Sequence, residues 1–348
     1  MRNYSENSFR KFYVCLMFVE YITSKLIGLS PWMMDTPKIF RKNREVAGSS
    51  YNILLIISYI LFDIFFVYNN LNTVNQTIAS IAAKLAFFSI ICMSIILLIY
   101  IIRQKSLVIV KNRFNDVDKW LNGCVDYQLD HDNTNYWIFF TNMVLIYCWS
   151  IVRIVFTVSW AIDIALILTM AFGFILIVQY TMIINMINKR LKSINATLLK
   201  LGSTSQRAIL NDFCTIKNAY VELCDMSDKI ADFYRIPTLI VVFLSCIRNI
   251  NNIYQIILIF LHQAEIPSSA YLGGIFIIQI CFSFTILTTS VTQVLRLHLS
   301  NFSNDLWHMK FEFTLCDIIP LDRTLLAVIS GTTVTYLIIA IQFHLSKN

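Results

Sequence analysis

The stretch LLAVISGTTVTYLIIAIQF, Leu325 to Phe343, decides how this chain is read. At a rise of about 1.5 Å per residue, a helix of roughly 20 residues crosses the hydrocarbon core of a bilayer. The stretch is not uniformly apolar. Thr332, Thr335, Ile339 and Gln342 recur at steps of three, four and three and share one helical face, with Tyr336, Ala340 and Phe343 in a neighbouring stripe. An amide and two hydroxyls are costly against lipid, so this face must meet protein or water. Two readings follow: a polar seam between packed helices, or the lining of a pore.

Composition places the rest of the chain in the same environment. Of 348 residues, 57% are hydrophobic and only 14% charged, too few for the surface of a soluble domain. The chain is read as an all-α polytopic membrane protein. Its net charge of +7 does not point to nucleic acid, because the basic residues are spread along the chain with no finger or helix-turn-helix motif. Nine cysteines, scattered singly as at Cys92, Cys148, Cys246 and Cys281, form neither metal spacing nor a disulfide framework. They read as small core residues.

Seven spans are expected, at about 51–69, 79–102, 135–158, 161–187, 237–261, 271–294 and 324–344. Lys and Arg test this division, since basic loops stay in the cytoplasm. Eight fall in 1–50, five in 103–134, eight in 188–236 and three in 295–323, while 70–78, 159–160 and 262–270 hold none. The N-terminus is therefore expected inside and the C-terminus outside. In 1–50 the apolar run Phe12 to Phe18 is interrupted by Glu20 and Lys25, which suits an interfacial helix better than a signal peptide. Gly28 and Pro31 end it. The expected units are the cytoplasmic segment 1–50, helices one to six over 51–294, a cytoplasmic segment 295–323, and the last helix with an outside C-terminus over 324–348. One acceptor sequon, Asn75-Gln76-Thr77, falls in the first outside loop.

Some helices should continue past the membrane. Ile187, Leu191, Ile194, Leu198 and Leu201 keep a helical period while Lys189, Arg190, Lys192 and Lys200 take the other faces. After a turn at residues 202–205, Leu210, Phe213, Ile216, Tyr220 and Leu223 resume it, giving a cytoplasmic hairpin over 188–236. Its apolar seam must be buried, either within the chain or against another subunit. Leu306 to Leu315, with Trp307 and Phe311 one turn apart, is a candidate partner.

Ionisable residues within spans are the remaining functional signal, since each is costly unless paired or hydrated. Asp63, Lys84, Arg153 and Asp163 fall in the outer half of the membrane and Arg248 near the middle of the fifth span. Trp149, Trp160, Tyr68, Asn249, Asn252, Tyr254, Gln255 and Gln279 share their layer. Asp63 could pair with Arg153 or with Arg248 as a purely structural contact. Alternatively, Asp63, Trp149, Arg153, Trp160, Arg248, Asn252, Gln255 and Gln279 line a ligand pocket open to the outside. No catalytic constellation, cofactor motif or metal set is present, and Asp130-His131-Asp132 reads as a solvated connector. An enzyme is not expected.

Thr335, Tyr336, five mostly apolar residues, Gln342 and Phe343 match the signature TYhhhhhQF (h, hydrophobic) that ends insect gustatory receptors. With GLSP at Gly28 to Pro31 and the seven spans, the chain resembles that family over nearly its whole length. At 348 residues it is short for the family, the shortening falling in outer loops and inner connections. The family is similar in architecture to insect odorant receptors, which are tetrameric cation channels opened directly by ligand. The resemblance implies a plasma-membrane receptor of a sensory neuron, embedded in lipid, working as a homotetramer or with other gustatory receptors. It also implies a pore and gate at Gln342, Phe343 and Ile339 with Thr335 and Thr332, and a small tastant as ligand. Charges and amides in the pocket suit sugars, amines or amino acids, and abundant Ile, Phe and Tyr lean the ligand slightly toward bitter compounds. A G-protein-coupled receptor would have the opposite orientation, and a secondary transporter would show internal repeats, which are absent.

Overall fold

The computed structural model describes residues 22, 29, 50–62, 65, 77–124, 127, 129, 134–155, 160–201, 206–261, 268–301, 314–315, 319–321 and 323–345. Asp63, Tyr68, Asn75, the run Phe12 to Phe18, the turn 202–205, Asp130 to Asp132 and 306–313 lie outside them. Among the described residues the helices are α1 (Ser50–Phe62), α2 (Thr77–Leu121), α3 (Thr134–Val155), α4 (Trp160–Leu201), α5 (Gln206–Leu261), α6 (Ser268–Asn301) and α7 (Arg323–Leu345). Each overlaps one of the seven expected spans; among the described residues five are long and apolar enough to cross a membrane, while α1 and the apolar part of α7, Ala327–Ile339, are shorter. Their apolar stretches explain the choice of helix, because only a helix pairs every backbone group within its own segment when no water is available. Two residue pairs interrupt the pattern: β1 (Thr314–Leu315) and β2 (Ile319–Pro320) form an antiparallel ribbon before α7, with Leu315 opposite Ile319.

Helix length is the next constraint. α2, α4 and α5 contain 45, 42 and 56 residues, so at ~1.5 Å per residue α5 is roughly 84 Å long. About 30 Å suffices for the hydrocarbon. The excess carries the charges, and there the three helices pack on one another. Ile187, Leu191 and Ile194 of α4 and Ile216, Tyr220 and Leu223 of α5 are buried with Leu107, Val110, Phe114 and Val117 of α2. The amphipathic seam is thus covered within the chain by α2, a contact that sequence periodicity does not reveal. Phe213 differs from the rest of the seam and is exposed. It stands about 60° from the axis of the Ile216–Tyr220–Leu223 stripe.

Ion pairs stitch the rim of this distal bundle. Arg190 donates from Nε and Nη2 to the two carboxylate oxygens of Asp118 at 2.8 and 2.7 Å, and its Nη1 reaches the Met186 carbonyl at 3.0 Å. Its guanidinium also lies 4.7 Å from the centre of the Phe114 ring. Arg113 pairs with Glu222 at 3.1 Å and with Asp225, and Arg103 pairs with Asp232. Hydrogen bonds from Lys229 and Arg113 hold the Asp225 carboxyl below the usual carboxylate range. α5 runs unbroken through Pro237. One missing N–H weakens a helix by about 3 kcal/mol, and packing on both sides of Pro237 outweighs it.

α7 rests on α5 and α6. Leu325 and Thr333 are buried and Ile329 packs against the core, one stripe at steps of four. Leu29, from the GLSP element, is also buried in that core. Because Arg190 is nearly enclosed and Asp118 only partly so, Arg190→Ala should lower stability by about 2–3 kcal/mol. Arg190→Lys should recover only part, since an ammonium cannot bond bidentately. Thermal unfolding of the detergent-purified protein checks this, and an unchanged midpoint for Arg190→Ala would remove the clamp from the account.

Candidate functional site

Arg248 of α5 is 5% exposed and stands where α2, α4 and α5 meet. Its Nη2 donates to Ser89 Oγ and to Thr169 Oγ1, both at 2.7 Å. Each hydroxyl gives its own proton to its helix, Ser89 to the Leu85 carbonyl at 2.7 Å and Thr169 to the Leu166 carbonyl at 3.1 Å. Both oxygens therefore face the guanidinium as acceptors. Asp63 lies outside the described residues, and among those described no carboxylate stands within 4.0 Å of Arg248. Ser89 and Thr169 were not legible as partners, because a hydroxyl that bonds its own helix leaves no pattern in an apolar run.

Beside Arg248 is a cavity of about 20 Å³, lined among others by Thr169, Gly173, Phe174, Leu244 and Ser245. It has room for about one water molecule and is far below the ~300 Å³ of an ordinary ligand site. Phe174 links it to the next layer, its ring centre 6.0 Å from that of Phe276 on α6. Phe276 lies 6.3 Å from Trp149 on α3, and the Arg153 guanidinium lies 5.7 Å from the Trp149 ring. Trp149, Arg153 and Arg248 therefore belong to one contiguous layer across α3, α4, α5 and α6.

Gln279 and Asn142 are buried nearby on the α3–α6 side, where Ser283 Oγ donates to Asn142 Oδ1 at 3.3 Å. Gln279 Nε2 and Asn142 Nδ2 have no partner among the described residues. Asn252 is half-buried where α5 and α6 approach closely. A Cβ placed on Gly273 would meet Ile256 Cδ1 at 3.1 Å and the Asn252 Cβ at 3.5 Å. Lys84 is exposed. Trp160 and Gln255 sit in α4 and α5, but their side chains lie outside the description, as does that of Phe343 in α7.

The last helix shows a second arrangement. Thr332, Thr335, Ile339 and Gln342 are all exposed on the single chain, while the stripe through Leu325, Ile329 and Thr333 turns inward. Thr332 and Thr335 donate to the Val328 and Gly331 carbonyls at 2.7 and 3.0 Å. Their protons are satisfied by the helix itself. The demand for water or protein along this face is therefore concentrated at Gln342.

These features define a polytopic helical membrane protein with a buried polar layer and a peripheral last helix. The chain belongs to the 7tm chemosensory receptor family, which it matches over residues 19–296 and 284–347. A comparison with curated proteins gives no match. Among solved structures, the fold is similar to the insect olfactory receptor OR5 from Machilis hrabei. The TM-score is 0.64, with 14% identity across 97% of this chain and 99% of that one. The same receptor in complex with eugenol gives 0.54, with 12% identity across 96% and 98%.

Thr169→Val keeps the shape of the side chain but removes one acceptor from a buried guanidinium. It should destabilise the protein by about 1–3 kcal/mol. Combined with Arg248→Met, the same change should cost less, because the donor it strands is gone. A double-mutant cycle in thermal unfolding measures the difference, and strict additivity would rule out the contact.

Proposed function

We propose that the protein is a gustatory receptor that acts as a ligand-gated, weakly selective cation channel, with α7 lining the pore. The observation that carries this reading is the division of α7: one stripe packs on α5 and α6, and the face bearing Gln342 is left uncovered. One helix per chain cannot enclose a pore, so several copies must surround an axis. Four copies, alone or mixed with related chains, follow the resemblance to insect odorant receptors. The distribution of Lys and Arg supports a cytoplasmic N-terminus and distal bundle and an outside C-terminus.

In this reading a small tastant enters from the outside and binds beside Trp149, Arg153, Asn252 and Gln279, and Asp63, Trp160, Arg248 and Gln255 are the further residues that the sequence assigns to the pocket. Solved structures of similar fold include one in complex with eugenol, an aromatic small molecule. The cavity beside Arg248 is too small for such a molecule, so binding must select an arrangement in which the layer is wider. The tighter binding of that arrangement shifts the population, and α5 and α6 carry the change to α7, which they touch. An apolar constriction at Ile339 or Phe343 gives way to a wetted path beside Gln342. Without an acidic ring on α7, amide and carbonyl dipoles do the selecting. The aromatic layer leans the ligand slightly toward planar, bitter compounds.

Two measurements test the proposal. In cells expressing the chain and exposed to a tastant panel, a rapid current should appear without G-protein signalling. Gln342→Ala should alter ion selectivity and Ile339→Ala should leave the channel leaky. A ligand-evoked current indifferent to both substitutions would remove α7 from the ion path, and a response that requires a G protein would favour a metabotropic receptor.

Topology is read by cysteine labelling. Cys214 is exposed, whereas Cys224 is buried, with a thiol pushed up to about 12 by burial and by Asp228. A membrane-impermeant maleimide at neutral pH should label Cys214 only in permeabilised cells and leave Cys224 unmodified. Labelling of Cys214 in intact cells would reverse the orientation.

A further inference from the structure

Arg248 is a buried cation with no counter-charge among the described residues. Its two partners, Ser89 and Thr169, supply hydroxyl dipoles only, and its Nε–H is enclosed without an acceptor. The Arg153 guanidinium adds a like charge to its surroundings. A guanidinium held at mid-membrane costs several kcal/mol unless it is paired. Unlike a lysine, it cannot escape by losing its proton.

The cavity beside Arg248 has the size and chemistry to complete the pairing. Its volume of about 20 Å³ admits a particle the size of a water molecule. Sulfate, phosphate and an organic carboxylate are larger. The wall combines the guanidinium and the buried hydroxyls of Ser245 and Thr169 with apolar surface from Met93, Phe174 and Leu244. A water molecule there would bring no negative charge to the guanidinium. A monatomic anion would neutralise it, accept from the guanidinium and from Ser245 Oγ, and tolerate the apolar wall because halides are weakly hydrated.

We propose that this cavity binds a single halide ion, chloride under physiological salt, as the resident counter-ion of Arg248. The site needs neither a tastant nor other copies of the chain, so it stands or falls apart from the channel reading.

The test uses the full chain in detergent, with no ligand, in sodium chloride, sodium bromide or sodium gluconate at equal ionic strength. An ion that binds only the folded state raises the unfolding temperature. The wild type should unfold several degrees higher in chloride and bromide than in gluconate. It should also broaden the chloride NMR line, with bromide restoring the narrow line. Ser245→Val fills the cavity while leaving Arg248 in place, and should lose both effects, as should Arg248→Gln. Equal unfolding temperatures in the three salts with no line broadening would overturn the proposal, leaving water alone in the cavity. Retention of both effects in Ser245→Val would also overturn it, by placing the halide elsewhere.

Discussion

Helix continuity is the constraint on which this structure depends. α2, α4 and α5 leave the bilayer without a break and become the core of a second, charge-rimmed bundle. The same three rods therefore answer two different solvents. In lipid they can be apolar on every face, whereas in water only the faces they turn to one another can be. The Arg190–Asp118 clamp and the pairs of Arg113 and Arg103 set the register of the aqueous half. Because each rod is continuous, that register also constrains how the helices meet around Arg248. Tyr100, Phe233, Tyr234 and Tyr180 cluster where the two halves join, Tyr180 stacked on Tyr234 and the other pairs edge to face, with ring centres 4.6 to 6.5 Å apart.

The membrane half solves its polar problem differently. Its hydroxyls mostly give their protons to carbonyls on their own helices, as Ser89, Thr169, Thr181 and Thr288 do. Such residues can sit in an apolar run at little cost, and their oxygens remain available as acceptors. Arg248 exploits this availability, being solvated by two side chains that already belong to other bonds. The amides of Asn142 and Gln279 are more demanding, because an NH₂ group has no comparable route to its own helix. These groups are where a ligand or water has most to offer.

Much of the architecture was legible in the sequence, and the reasons are physical. Hydropathy located the helices of the seven spans because a bilayer imposes a length and an internal hydrogen-bond rule on every crossing. The period of three and four in Ile187 to Leu198 announced that α4 would continue beyond the membrane, since charges on the other faces had to be in water. The polar face of α7 through Gln342 was legible for the same reason, whereas the buried stripe through Leu325, Ile329 and Thr333 was not.

What only the tertiary structure decided is partnership. No periodicity states that α2 covers the α4–α5 seam, that Arg190 reaches Asp118, or that Arg248 is met by Ser89 and Thr169. Inside a membrane all helix faces look alike in composition, so hydropathy reports that a segment crosses and not which neighbour it meets. Partners separated by 72 to 159 residues come together through the packing of whole helices, a property of shape that one-dimensional pattern does not carry.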